Sequence, residues 1–166
     1  MTLVHTTSLK SLERILKEGL KTPKESGANC RVPACSDLIY FQWFDLEKFS
    51  KKRYVPILED WPYSYNLNYA LVIKEGYIKE HADQFEERAL SGIIKDEEFQ
   101  DFLKRNNIKY SKEKSEYKGD WWMHQVVSYQ TVPVSAFETV VVRVPSTKEL
   151  VSKMLPEGLC VYAQER

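Results

Sequence analysis

Apolar residues recur along this chain at every second position in some stretches and every third or fourth in others, and each change of period marks an element. Thr2 to Thr6 reads as a short strand. Ser8 then stands where its side-chain oxygen can cap a helix whose Leu9, Leu12, Ile15 and Leu16 fall on one face. Gly19 is expected to stop that helix in a left-handed conformation, with Leu20 folded back on the last turn. From Lys21 to Asp37 the run "KTPKESGANCRVPACSD" carries prolines, glycine and small polar residues, which predicts a loop of roughly 15 residues, a length usual for functional or disordered segments.

Leu38 to Phe44, "LIYFQWF", is rich in β-branched and aromatic residues and predicts a strand, followed by a basic piece, "DLEKFSKKRY", that is helical or irregular. "EDWPYSYNLN" is turn-like, and Tyr69 to Ile78 reads as a strand with a turn or bulge at its glycine. Helices are expected over Ala82 to Leu90 and Lys95 to Arg105, the second with Phe99, Phe102 and Leu103 on one side. Asn106 to Asp120 is charged, weakly patterned and expected to be an exposed connection. The rest reads as "WMHQVVSYQ", a turn at "TVPVSA", the strand "FETVVVRV", a helix near Thr147 to Leu155 and a last strand "LCVYA". Strands with helices inserted irregularly between them make the class α+β.

A chain of 166 residues with 43% hydrophobic side chains suits one domain, residues 1–166, around one core. Lysine plus arginine equal aspartate plus glutamate at 24 each, so no global field draws the protein to nucleic acid or an anionic membrane. Any nucleic-acid contact must rest on a local patch. No apolar run approaches the roughly 18 to 20 residues of a membrane span, and the N-terminus lacks a basic segment followed by an apolar core, so a soluble cytoplasmic protein with no membrane partner is expected. Cys30, Cys35 and Cys160 come without the ligand set of tetrahedral zinc; they read as reduced thiols, and no metal is expected.

Three stretches carry a resemblance. "HTTSLKSLERILKEGL" resembles the first strand and helix of ADP-ribosyltransferase-fold proteins, with a histidine at the strand end, a polar pair and then "L..IL..GL". "SDLIYF" resembles the strand that follows, with its tyrosine. "HQVVSYQTVPVSAFETVVV" resembles a late hairpin in the DarT-like branch, where a catalytic glutamate opens a short strand and a proline turn leads into a run of valines and isoleucines. The resemblance implies split β-sheets with short helices around a central cleft that binds NAD as substrate. His5, beside Thr6 and Thr7, would then donate to the adenosine-side ribose hydroxyls, and Tyr40 would stack near the nicotinamide. Position 125 would bond the 2′-hydroxyl of the nicotinamide ribose. His5, Tyr40 and Gln125 are thus the implied catalytic set.

The chain departs from the pattern at one of those positions. Gln125 stands where the family has glutamate; it can accept a hydrogen bond but carries no charge against the developing cation. Glu116 and Glu138 are the nearby carboxylates that could substitute. The implied activity is transfer of ADP-ribose to a macromolecular acceptor, nucleic acid by analogy with the DarT-like branch, or protein. A catalytically degenerate module that binds NAD, ADP-ribose or a related nucleotide, or a protein partner, stays open beside it. So does the RNA 2′-phosphotransferase branch of the fold, although no basic set for its transferred phosphate can be placed.

The same residues have plainer readings. His5 can be a hydrogen-bonded structural residue, Tyr40 a core position and Gln125 a polar strand residue. Trp61, Tyr63, Tyr65 and Tyr69 either line a nucleotide pocket, stack the bases of a single strand, or pack in core and loops. Lys48, Lys51, Lys52 and Arg53, with Phe49 and Tyr54 interleaved, can contact phosphates or form a solvated face. Trp121 and Trp122 would anchor the hairpin. His124 points away from the face of Gln125 in an extended strand, and His81 has no visible partner.

Overall fold

The computed structural model describes residues 1–27, 37–44, 68–87, 97–110 and 125–163. Among these residues eight strands are ordered β5-β4-β6-β2-β1-β3-β7-β8: β1 Thr2–Thr7, β2 Ile39–Phe44, β3 Tyr69–Ile73, β4 Phe85–Glu87, β5 Lys109–Tyr110, β6 Gln125–Ser128, β7 Phe137–Val142 and β8 Cys160–Ala163. The described helices are α1 Leu9–Glu18, α2 Pro23–Ser26, α3 Glu75–Glu80, α4 Glu97–Arg105 and α5 Lys148–Met154, with short 3-10 turns between elements. The class is α+β.

The two halves of the sheet meet along a short antiparallel pairing. Thr2, Leu3 and Val4 of β1 oppose Phe44, Trp43 and Gln42 of β2, whereas Val4 to Thr7 oppose Val72 to Tyr69 of β3. Ile39 to Gln42 of β2 belong to the ladder with β6. Past Val4 and Gln42, therefore, β1 stays with one half and β2 with the other, and the sheet splits. This is the split arrangement the resemblance implies.

Alternation gives the strands two apolar faces. Leu3, Phe41, Trp43, Leu71, Val126 and Val140 lie on one, in the core cluster with Leu12 and Ile15 of α1, Phe99 and Phe102 of α4 and Val151 of α5. Trp43 packs tilted against Phe99 and Phe102, with centroids 5.3 and 4.7 Å away. Val4, Val72, Val127 and Val141 of the other face are also buried, which is why β7 reads as an unbroken valine run rather than an alternation.

The first helix is capped as expected, with the Ser8 hydroxyl accepting from the Ser11 N–H. Its end differs. Gly19 has φ 81° and ψ 170°, which is not the left-handed helical cap, and Leu20 is buried in the same core cluster as Leu12 and Ile15. Leu20 exchanges backbone bonds of 2.8 and 2.9 Å with Val132, drawing the segment after β6 against α1. A Cβ at Gly19 would stand 3.0 Å from the Val132 carbonyl oxygen, in a backbone conformation that only glycine adopts readily. Gly19→Ala is expected to cost about 2 kcal/mol or more of stability, read as a lower urea midpoint at unchanged slope.

Several expectations are corrected by tertiary context. The loop from Lys21 contains α2, whose Thr22 and Glu25 form a capping box. The Glu25 carboxylate accepts from the Thr22 N–H, the Thr22 hydroxyl and the Thr131 hydroxyl, which hold it below the usual carboxylate range. β3 stops at Ile73, and Gly76 sits inside α3 rather than at a bulge. That helix is anchored by Glu75, which accepts from Arg105 at 2.6 and 3.2 Å and from Asn106 at 2.9 Å.

Ala82 to Glu87, expected as helix, is a 3-10 turn followed by β4, because its backbone completes a ladder with β6. The start of the connection from Asn106 is packed rather than exposed: Asn106 and Ile108 are buried, and β5 runs parallel to β4. The implied late hairpin is absent. β6 and β7 lie in different halves of the sheet, and "TVPVSA" is the crossover between them. Glu138 on β7 consequently belongs to the half opposite that of Gln125. Cys30, Cys35, the Lys48–Tyr54 basic group, Trp61, Tyr63, Tyr65, Glu116, Trp121, Trp122 and His124 lie outside the described residues.

Candidate functional site

His5 stands where the sheet divides. On one side it opposes Leu71 of β3; on the other, where β2 has turned away, its ring fills the opening and Nδ1 lies 3.0 Å from the Tyr40 carbonyl oxygen. The Phe41 ring meets it edge-on, with centroids 6.0 Å apart. A carbonyl only accepts, so Nδ1 carries the hydrogen. Burial pushes the imidazole pKa below its ordinary value, and the bond to the Tyr40 carbonyl offsets this only in part.

The ring is therefore neutral at physiological pH, and Nε2 presents a lone pair. With Nδ1 donating to the Tyr40 carbonyl, Nε2 is the ring nitrogen left to accept a hydrogen bond.

Tyr40 is half-buried and opposes Val127 of β6; Gln125 opens β6 opposite Gln42, and its strand position is what the structure describes. Two residues separate these positions along the ladder, which puts their Cα atoms about 7–8 Å apart on the diagonal. Thr6 opposes Ala70 and shares the Tyr40 face, whereas the buried Thr7 opposes Tyr69 on the core face. The His5 ring thus touches the Tyr40 backbone carbonyl, but alternation places it with Leu71 and Phe41 on the core face, whereas Tyr40, Thr6 and the Gln125 position belong to the opposite face, with Gln125 level with the Val4–Gln42 pair where β1 and β2 are still joined. Tyr69 is a core residue, donating to the Thr147 hydroxyl at 3.1 Å.

His81 does have a partner: it stacks on Tyr77 with centroids 4.1 Å apart, and its Nδ1 lies 2.9 Å from the Tyr77 carbonyl oxygen. Among the described residues no group of three histidine, cysteine or acidic side chains is arranged to hold a metal, and Cys160 is an exposed free thiol. No described helix is long and apolar enough to cross a membrane.

Two carboxylates on β4 escaped the sequence reading. Glu86 accepts a hydrogen bond from the Tyr129 phenol. Glu87 is 3% exposed, and its Oε2 has no hydrogen-bond partner. Burial first, and the Glu86 charge second, push its carboxyl up to about 7. The signal was there in "FEE", an apolar residue and two acids in extended alternation, but a helical reading of that stretch hides which acid points where.

No family model matches the chain, and no curated protein matches it. Solved structures do. DarT from Thermus sp. 2.9 in complex with NAD+ aligns with a TM-score of 0.56 at 15% identity, over 96% of this chain and 94% of that one. The same protein with carba-NAD+ gives 0.55 at 14% identity, over 96% and 93%. With ADP-ribosylated ssDNA it gives 0.53 at 14% identity, over the same 96% and 93%. At these identities the likeness is one of fold, and the fold of this chain is the ADP-ribosyltransferase fold of DarT.

Proposed function

We propose that this chain binds NAD at the split between its half-sheets and transfers ADP-ribose to a macromolecular acceptor, with single-stranded nucleic acid the favoured class. The observation that carries this reading is the His5 imidazole bridging the split to the Tyr40 carbonyl, neutral and with Nε2 left as an acceptor. A ribose hydroxyl is the complementary donor. The fold supports it further, since its neighbours were solved with NAD+ and with ADP-ribosylated ssDNA. In this reading Thr6 offers its hydroxyl on the face of Tyr40, Tyr40 stacks against the nicotinamide, and the Gln125 carboxamide accepts from the reactive ribose. Once the glycosidic bond lengthens, positive charge gathers at the ribose C1′, where fixed dipoles and charges act.

His5→Ala is expected to weaken NAD binding on the order of tenfold, one hydrogen bond's worth, read by calorimetry with NAD itself. Nicotinamide release by the wild type, lost with His5→Ala, supports transfer. Gln125 favours a second reading, in which the chain binds NAD without turnover. Heat of NAD binding with no nicotinamide released selects that reading, and no binding at all removes both.

A further inference from the structure

The half-sheet that carries Tyr40 has two carboxylates on its described strands, Glu86 and Glu87, and strand alternation sends them to opposite faces. Glu87 opposes Val126, which opposes Phe41, so it belongs to the core face. Glu86 opposes Val127, which opposes Tyr40. Tyr40, Val127 and Glu86 therefore form one row across β2, β6 and β4, on the face that Tyr40 presents. Strand spacing puts the Tyr40 and Glu86 Cα atoms about 10 Å apart, and the diagonal from Glu86 to Gln125 is about 7–8 Å.

The Tyr129 phenol holds the Glu86 carboxylate, and Tyr129 follows Ser128, the partner of Ile39, at the end of the half-sheet where β1 and β2 have separated. Lys109 is the register neighbour of Glu86 on the side away from the split. Glu138, the other described candidate, is exposed on β7 in the opposite half.

We propose that Glu86 supplies the negative charge that position 125 lacks. This rests on the reading of the split as an NAD site. As the bond between the nicotinamide nitrogen and C1′ breaks, its electron pair leaves with nicotinamide, which departs neutral, and the ADP-ribosyl C1′ becomes cationic. A nucleophile's lone pair then closes on C1′ and its proton goes to solvent. Glu86 acts while the cation exists, through space and without bonding to it. Were its carboxylate to stand about 7 Å from the cationic carbon, at an effective dielectric near 20, the charge would lower the barrier enough for on the order of fiftyfold in rate.

The test measures nicotinamide release and NAD calorimetry on wild type, Glu86→Gln, Glu86→Asp and, as control, Glu138→Gln. Glu86→Gln is expected to lose on the order of fiftyfold in kcat with KM nearly unchanged, Glu86→Asp to recover most of that, and Glu138→Gln to match wild type. Turnover that survives Glu86→Gln overturns the proposal and leaves the NAD site standing. Equal losses in the glutamine and aspartate variants make the role steric and also overturn it, as does a wild type that binds NAD without releasing nicotinamide. A wild type that does not bind NAD removes the site itself.

Discussion

Gln125→Glu is expected to raise the rate of nicotinamide release from NAD by on the order of a thousandfold. A carboxylate about 4 Å from a developing unit positive charge, at an effective dielectric near 20, is worth roughly 4 kcal/mol, and each 1.4 kcal/mol or so is tenfold in rate. Glutamine has nearly the same shape and keeps a carbonyl for the ribose hydroxyl, so NAD affinity is expected to change little and the gain to fall on kcat. The largest gain is expected in the Glu86→Gln background. With Glu86 intact, two carboxylates near one site repel each other, and each ionises less readily. Nicotinamide release from the four chains of this double-mutant cycle measures the coupling. A gain below tenfold in both backgrounds shows that position 125 does not stand beside the reacting carbon.

The elements legible in the sequence are those whose local pattern and tertiary role agree. β1, α1 with its Ser8 cap, β2, α4 with Phe99, Phe102 and Leu103 turned inward, β7, α5 and β8 all fall where periodicity places them. The misread elements are those that long-range pairing decides. Phe85–Glu87 is extended because β6 offers a ladder, and Lys109–Tyr110 because β4 does. The Leu20–Val132 bridge overrides a helix cap that glycine alone would favour.

The site divides in the same way. His5, Tyr40 and Gln125 are implied by a family pattern spread over three stretches; the β2–β6 ladder places Tyr40 and Gln125 on one face, whereas His5 meets Tyr40 only at its backbone carbonyl, from the core face. The contact between the His5 ring and the Tyr40 carbonyl, and with it the polarity of His5, depends on how β1 and β2 part, which no local pattern encodes. Glu86 needed the same pairing information, since its face follows from Val127 and not from its own neighbours in sequence.

Glu87→Gln is expected to stabilise the protein at pH 8 by about 2 to 3 kcal/mol and to leave it little changed at pH 5. The folded carboxyl titrates near 7, against 4.5 for the ordinary group, because burial disfavours its charged form and Glu86 adds repulsion. A raised carboxyl pKa means that the folded state binds the extra proton between those values. The stabilisation is complete below pH 4.5 or so and is lost as pH rises through about 7, when an unpartnered carboxylate must be held 3% exposed.

His5, whose pKa is lowered, has the opposite slope: its neutral form favours the fold above its unfolded value and loses stability as pH falls. Subtracting the wild-type urea curve from that of Glu87→Gln across pH 5 to 8 cancels the His5 contribution and leaves that of Glu87. Parallel curves would mean that Glu87 finds a partner in solution. Because β4 is three residues long and carries Glu86 beside Glu87, loosening it at alkaline pH also displaces the proposed charge. The wild type is therefore expected to lose kcat above pH 7 or so, and Glu87→Gln to keep it.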